Sequence, residues 1–159
     1  MSIREKPNSL DIAHLAGVAQ STVSRALRAA NIEIDPAFQV GAVNTEQSGG
    51  AAIRALLERG LRVDAVFGAS DLIAIGAMRA LGARRIAVPR DISVVGFDDI
   101  PLSSIVSPAL TTVAQDTRRA GMLLVETLIS QIEGKPAQSI TLPTRLVVRQ
   151  SSIVKRASR

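Results

Sequence analysis

From Phe38 onward the chain alternates short apolar runs with amphipathic helical patterns, and this alternation restricts the fold more than any other feature. Phe38 to Val43 (FQVGAV) reads as a strand, and Thr45 is placed to cap a helix through AAIRALLER that stops at Gly60. Asp64 to Ala69 (DAVFGA) reads as a buried strand. Ser70 and Asp71 open the helix LIAIGAMRAL, which Gly82 ends. Ile92 to Phe97 (ISVVGF) is apolar throughout, the pattern of a strand covered on both faces. After a proline-bracketed loop from Ile100 to Pro108, Thr111 to Ala114 predicts another strand. Thr117 or Arg118 then begins a helix through GMLLVETLISQI to Gly134, and Ser139 to Arg149 supplies one or two last strands. Strands alternating with helices predict a parallel α/β sheet, without internal repeats.

The first thirty residues have a different grammar. In NSLDIAHLAGVAQSTVSRALR, Asn8 to Arg28, two short helical patterns meet at Gly17, a residue able to take the positive φ of a sharp stop. Asn8 caps the first, with Asp11 in its first turn and Ile12, Leu15 and Ala16 as its apolar stripe. In the second, Val23 and Leu27 face inward while Ser21, Ser24, Arg25 and Arg28 share the opposite side. This spacing predicts a helix-turn-helix, and the partner it implies is double-stranded DNA. Gln20 and Ser21 would meet base edges with Arg25 one turn on, since Gln pairs bidentately with adenine and Arg with guanine. Thr22 and Ser24 suit phosphate contacts that set register, and Arg28 extends the basic face. The alternative is an ordinary amphipathic helix pair.

Charge agrees with a phosphate partner. The chain has 159 residues and a net charge of +5, and the excess is terminal. Residues 1–30 hold Arg4, Lys6, Arg25 and Arg28 against Glu5 and Asp11, and Lys155, Arg156 and Arg159 form a basic tail that is best read as a solvated end. Aromatics are only 2%, too few for single-strand stacking platforms, while 47% hydrophobic residues allow a buried core. Cysteine is absent, so disulfide and thiolate chemistry are excluded. No apolar run follows Met1 to Pro7, so the sequence predicts neither signal nor membrane span, and a cytoplasmic protein.

An enzyme finds little support. His14 is the single histidine and falls inside the predicted headpiece helix. There is no metal-ligand cluster, no G-x-S-x-G turn, and no phosphate loop, since Gly49 and Gly50 lack the lysine such a loop needs. Asp71 and Asp98 have no evident partner to shift either pKa, and no cofactor is implied.

The string DIAHLAGVAQSTVSRAL resembles the DNA-binding headpiece of the lactose-repressor (LacI) family of bacterial regulators, except that Ala19 stands where the family usually has a capping serine. That change typically costs about 1 kcal/mol of helix stability. FGASDLIAIGAMRAL, VPRDISVVGFDDIP, PALTTVAQD and LPTRLVVRQSS resemble the sugar-binding core of the same family, which is similar to periplasmic binding proteins. The resemblance implies a small all-α headpiece over 1–30 and a partial periplasmic-binding-protein-like parallel α/β lobe over 31–159. It further implies an effector, a sugar or nucleoside, touched by Asp98, Gln115 and Ser70 beside Asp71. Ser70 and Asp71 equally suit an N-cap, and Asp98 with Asp99 a turn after a strand. It also implies a homodimer on a palindromic operator, with Ile75, Met78 and Ile105 near its interface, although Ile75 and Met78 are equally at home in a core.

By the same resemblance, the third headpiece helix, the hinge helix and the amino-terminal lobe are missing between Arg28 and Asn31. The helix from Arg118 to Ile132 would then lose its neighbour, so that Met122, Leu124, Val125, Leu128 and Ile132 must find another or stay exposed. Three readings follow: an effector-controlled repressor of transcription, a sugar-binding module without effective DNA binding, and a fragment that pairs with a full-length regulator.

Overall fold

The structure, a computed structural model, describes residues 12–16, 35–136 and 139–152. Among them six strands form one sheet: β1 (Ile12–Ala16), β2 (Gln39–Gly41), β3 (Ala65–Gly68), β4 (Ser93–Asp98), β5 (Thr111–Gln115) and β6 (Thr144–Val147). Their spatial order is β2-β1-β3-β4-β5-β6. All neighbours run parallel except β5 and β6, which are antiparallel. Four α-helices accompany them: α1 (Glu46–Glu58), α2 (Asp71–Ala83), α3 (Pro101–Ile105) and α4 (Thr117–Ile132).

The helix boundaries follow from capping chemistry. Thr45 Oγ1 accepts from the Ser48 amide at 3.1 Å, Ser70 Oγ from Ile73 at 3.3 Å, and Asp116 Oδ1 from Arg119 at 2.9 Å. Gly60 at φ +70° and Gly134 at φ +77° follow α1 and α4 in the left-handed conformation that stops a helix. The connections β2-α1-β3 and β3-α2-β4 step across the sheet in the same direction, so right-handed crossovers put both helices on one face. There Ile53 and Leu56 of α1, Ile73, Ala74, Ile75, Ala77 and Leu81 of α2, and Val66 and Val94 of the strands close the main core. The predicted loop from Ile100 to Pro108 contains the short α3, and the last segment gives one strand rather than two.

The amino-terminal element corrects the sequence reading. Ile12–Ala16, expected as the first helix of the headpiece, is the strand β1. Its backbone pairs with β2 through His14, Leu15 and Ala16 and with β3 through Ile12 to Leu15. Five residues with apolar groups at 12, 15 and 16 satisfy a helical stripe, but they are also short enough to serve as a strand. Bonding to strands on both sides satisfies the backbone polar groups along this segment, which one isolated helical turn cannot do. The second predicted helix, with Gln20, Ser21, Thr22, Ser24, Arg25 and Arg28, lies outside the described residues, as does the basic tail.

Helix α4 has no buried residue. Met122, Leu124, Val125, Leu128 and Ile132 are all more than half exposed, reaching 77% at Ile132, which is one of the two outcomes the sequence leaves open. Between α4 and the segment carrying Ile140 and Leu142 runs an apolar groove of about 590 Å³.

Helices α1 and α2 cross closely because two glycines meet opposing backbone. A Cβ on Gly49 would overlap the Ile73 carbonyl, and one on Gly76 would overlap the Glu46 carbonyl. Neither obstacle is a flexible side chain, so the helices would have to separate. Gly76→Ala is therefore expected to destabilise the chain by about 1–3 kcal/mol in urea unfolding. Gly121→Ala on α4, where a Cβ meets nothing within 4 Å, should instead stabilise it by about 0.5–1 kcal/mol. Equal effects at the two positions would rule out the close-crossing account.

Candidate functional site

The polar residues singled out in the sequence gather at the carboxyl ends of the strands. Ser70 follows β3, Asp98 ends β4 and Gln115 ends β5, on three adjacent strands. In an open doubly wound sheet this edge is where ligands bind, near the point where strand order reverses. Here the order reverses around β1, which lies between β2 and β3.

Asp98 and Gln115 are brought together. Gln115 Nε2 donates to Asp98 Oδ1 at 2.9 Å, while Asp98 Oδ2 has no donor among the described residues. Asp98 is half-buried and Gln115 exposed. Burial pushes the Asp98 carboxyl above the ordinary aspartate range; the Gln115 hydrogen bond opposes this, and the nearby Asp71 charge adds to it. Asp98 and Asp99 take φ of 114° and 57°, two consecutive non-glycine residues in positive-φ territory. Each such residue costs about 1–3 kcal/mol and persists only where its surroundings fix it.

Ser70 is 6% exposed and does two things. It caps α2 and also donates to Asn44 Oδ1 at 2.6 Å, so its hydroxyl is committed within the protein. Asn44 is exposed just past β2 and was not singled out from sequence. The rule that finds Ser70, a polar residue after a strand and before a helix, would have found it too.

Asp71 departs from the sequence reading. Expected beside Ser70 in an effector cleft, it is fully buried and accepts three hydrogen bonds from protein donors. Oδ2 accepts from Ile100 N at 2.9 Å and Ser103 Oγ at 2.6 Å, and Oδ1 accepts from Thr112 Oγ1. Its carboxylate lies against Gly96, where a Cβ would strike it. Asp71 therefore locks β4, α3 and β5 to the start of α2 and offers nothing to a ligand. Ile75 and Met78, expected on the exposed side of α2 near a dimer interface, are 1% and 8% exposed and belong to the core. Their side chains fill the α2–sheet layer, reaching only the floor of a groove of about 440 Å³ beside Val106, Ser107 and Pro108. Ile105 alone of the three is exposed, at 76%.

A second carboxylate beside the mouth has its own partner. Asp99 Oδ1 accepts from Arg149 Nη2 at 2.7 Å, with side chains 23% and 20% exposed. Arg149 Nη1 donates to the Leu110 carbonyl at 2.9 Å, and the Arg149 amide donates to Thr111 Oγ1 at 2.8 Å. Among the described residues no cluster of three or more His, Cys, Asp or Glu side chains is arranged to hold a metal ion. No helix among them is long and apolar enough to cross a membrane.

Two substitutions separate the carboxylates. Asp71→Asn replaces an acceptor of three hydrogen bonds by an amide that turns N–H groups toward donors, and should cost about 2–3 kcal/mol of stability. At Asp98 the folded pKa is raised, so its contribution favours folding at low pH and is lost as pH rises through that pKa. Asp98→Asn should therefore gain stability relative to the parent between about pH 3 and about pH 7. Urea melts at both pH values check this, and a fall in relative stability over that interval would overturn it.

Comparison with known proteins adds to this geometry. A profile of the periplasmic binding protein-like domain matches residues 12–152. The chain is 40% identical over 128 residues to the HTH-type transcriptional regulator CelR of Thermobifida fusca, covering 79% of this chain and 38% of that protein. It is 43% identical over 101 residues to a ribose operon repressor of Halalkalibacterium halodurans, covering 62% and 30%. Among solved structures, the CelR–cellobiose complex superposes with a TM-score of 0.82 at 35% identity, over 91% of this chain and 47% of that one. A sugar-binding LacI-family regulator from Escherichia coli complexed with phosphate gives 0.77 at 32%, over 92% and 56%. The chain thus spans less than half the length of these curated relatives.

Proposed function

Because this chain belongs to the periplasmic binding protein-like domain family, with the core of a LacI-type regulator, we propose that it takes part in repressor-type control of transcription by binding a sugar effector at the carboxyl edge of its sheet. The observation that carries this reading is Asp98: a half-buried carboxylate with one oxygen held by Gln115 and the other without a donor among the described residues. A carboxylate kept partly desolvated before any ligand arrives is costly to the fold and suited to accepting hydroxyl donors. Three adjacent strand ends span about 10 Å, the scale of one or two sugar rings. Asp98 would accept from sugar hydroxyls. Gln115, whose amide N–H already serves Asp98, would offer its carbonyl, and Asn44, whose carbonyl serves Ser70, would offer its N–H groups. Ser70 then acts by orienting Asn44, and Asp71 by holding the strand ends. The relatives are transcriptional regulators.

A sugar screen by thermal unfolding tests this. Cellobiose, ribose and lactose are the first probes. A ligand at about 100 times its Kd should stabilise the folded chain by about 2.7 kcal/mol. Asp98→Asn and Gln115→Ala should abolish the shift while leaving the fold intact. Absence of any shift across hexose, pentose and nucleoside panels would remove the effector reading.

A second reading is direct, sequence-specific binding of double-stranded DNA as a homodimer on a palindromic operator. It is favoured by the string GVAQSTVSR, with Gln20, Ser21 and Arg25 on base edges and Thr22, Ser24 and Arg28 on phosphates. The strand at Ile12–Ala16 weighs against it, because it removes the first helix that braces the recognition helix. A selection from a random duplex pool, run with the parent and Arg25→Ala at low and moderate salt, distinguishes the cases. Recovery of a palindrome by the parent alone supports operator reading, and sequence-blind, salt-sensitive recovery by both rejects it. The apolar face of α4 favours a third reading, pairing with a full-length regulator, for which co-purification is the measure.

A further inference from the structure

The Asp98–Asp99 turn combines two features that seldom occur together: consecutive positive φ at non-glycine residues and a half-buried carboxylate at the mouth of the site. Strained backbone of this kind needs anchors on both sides. One anchor is Asp71, which holds the Ile100 amide and the Ser103 hydroxyl just after the turn. The other is Arg149, fifty residues downstream.

Arg149 is built into the sheet edge rather than draped over it. Its backbone amide donates to Thr111 Oγ1 at 2.8 Å, and Thr111 Oγ1 also approaches the Arg149 carbonyl at 3.1 Å. Its guanidinium forks, with Nη1 on the Leu110 carbonyl at 2.9 Å and Nη2 on Asp99 Oδ1 at 2.7 Å. The backbone amide and Nη1 of the residue are thereby fixed to β5 and its approach, and Nη2 to the turn after β4. Partial desolvation of the pair strengthens the bond and makes its loss felt. A lysine could satisfy Asp99 or the Leu110 carbonyl, not the two in this fork geometry.

We propose that Arg149 is a positioning residue for the sugar site, acting through Asp99 to hold the turn so that the Asp98 carboxylate stands against Gln115 at the mouth. This rests on the reading of Asp98 as the effector contact. Arg149 does not itself reach the ligand, since both terminal nitrogens face Asp99 and Leu110. Released from Arg149, the turn relaxes toward ordinary φ values and carries Asp98 outward into water. The charged group that acts on Asp98 is Asp71 from α2, while the Asp99 carboxylate next to it in the turn is held by Arg149.

The test uses the 159-residue chain carrying Arg149→Met or Arg149→Lys. Two measurements are made: the Asp98 carboxyl titration by 13C NMR without ligand, and cellobiose affinity by calorimetry. A purely electrostatic role predicts that Arg149→Met raises the Asp98 midpoint, because a nearby positive charge is gone, and that Arg149→Lys leaves it in place. Positioning predicts the opposite sign. The midpoint falls toward the ordinary aspartate value in both variants as Asp98 becomes solvated, and cellobiose affinity drops about tenfold in Arg149→Met, less in Arg149→Lys. A midpoint that rises in Arg149→Met, or stays put in Arg149→Lys, overturns the proposal; should Arg149→Met fail to fold, Arg149→Lys decides alone. Failure of the parent to bind cellobiose would count against that sugar as the effector, while the ligand-free titration still decides the role of Arg149.

Discussion

The arrangement of the sheet's carboxyl edge depends on one buried carboxylate. Asp71 sits at the first position of α2, where the positive end of the helix dipole favours its charge, yet it is fully enclosed by protein. A lone buried charge is costly, and here the cost is offset by donors from three other places in the chain: the Ile100 amide, the Ser103 hydroxyl and the Thr112 hydroxyl. Because one oxygen serves β5 and the other the turn region after β4, moving either element strains the same group. Gly96 completes the lock, since only a residue without Cβ lets β4 pass this close to the carboxylate. The strand ends that carry Asp98 and Gln115 are thus fixed relative to α2 before any ligand is present.

How much of this was legible in the sequence varied with the range of the interactions. Local signals served well. Thr45, Ser70 and the glycines at 60 and 134 mark helix ends through contacts three or four residues away, and the structure has helix ends at those places. The alternation of strand and helix likewise led to the right architecture, with an antiparallel last strand that local pattern does not distinguish from a parallel one. Asp71 was harder. Its partners lie 29, 32 and 41 residues downstream, so nothing nearby says whether a carboxylate after a strand faces a ligand or a hydroxyl of its own chain. Arg149 and Asp99, fifty residues apart, were invisible for the same reason.

The segment at Ile12–Ala16 illustrates a different limit. Its residues suit both a helical stripe and a short strand, and the neighbouring string with its serines and arginines favours the helical reading. Sheet pairing decides otherwise, because a parallel sheet of this order leaves a slot between β2 and β3 that only a strand can fill. Ile75 and Met78 are a related case. An apolar residue at helical spacing is informative about a face, but whether that face meets its own core or another copy depends on the layer it packs into, and α2 turns nearly all of its surface inward.

Helix α4 is the counterpart of that inward packing. Its caps are satisfied and its length is ample, so the helix is well defined by its own local chemistry, yet its apolar residues find no layer among the described elements. A helix with a wide apolar face gains most of its stability from what it packs on, and one left exposed keeps only propensity and capping. The chain therefore divides energetically along β5. On one side stand a core and a site held by Asp71, and on the other an edge held by β6 pairing, the Arg149 fork and the buried Ser151, which bonds to Ala109, Thr111 and Val94. Because that fork also grips the Asp98–Asp99 turn, the approach to β5 and the end of β4 are held by a single guanidinium.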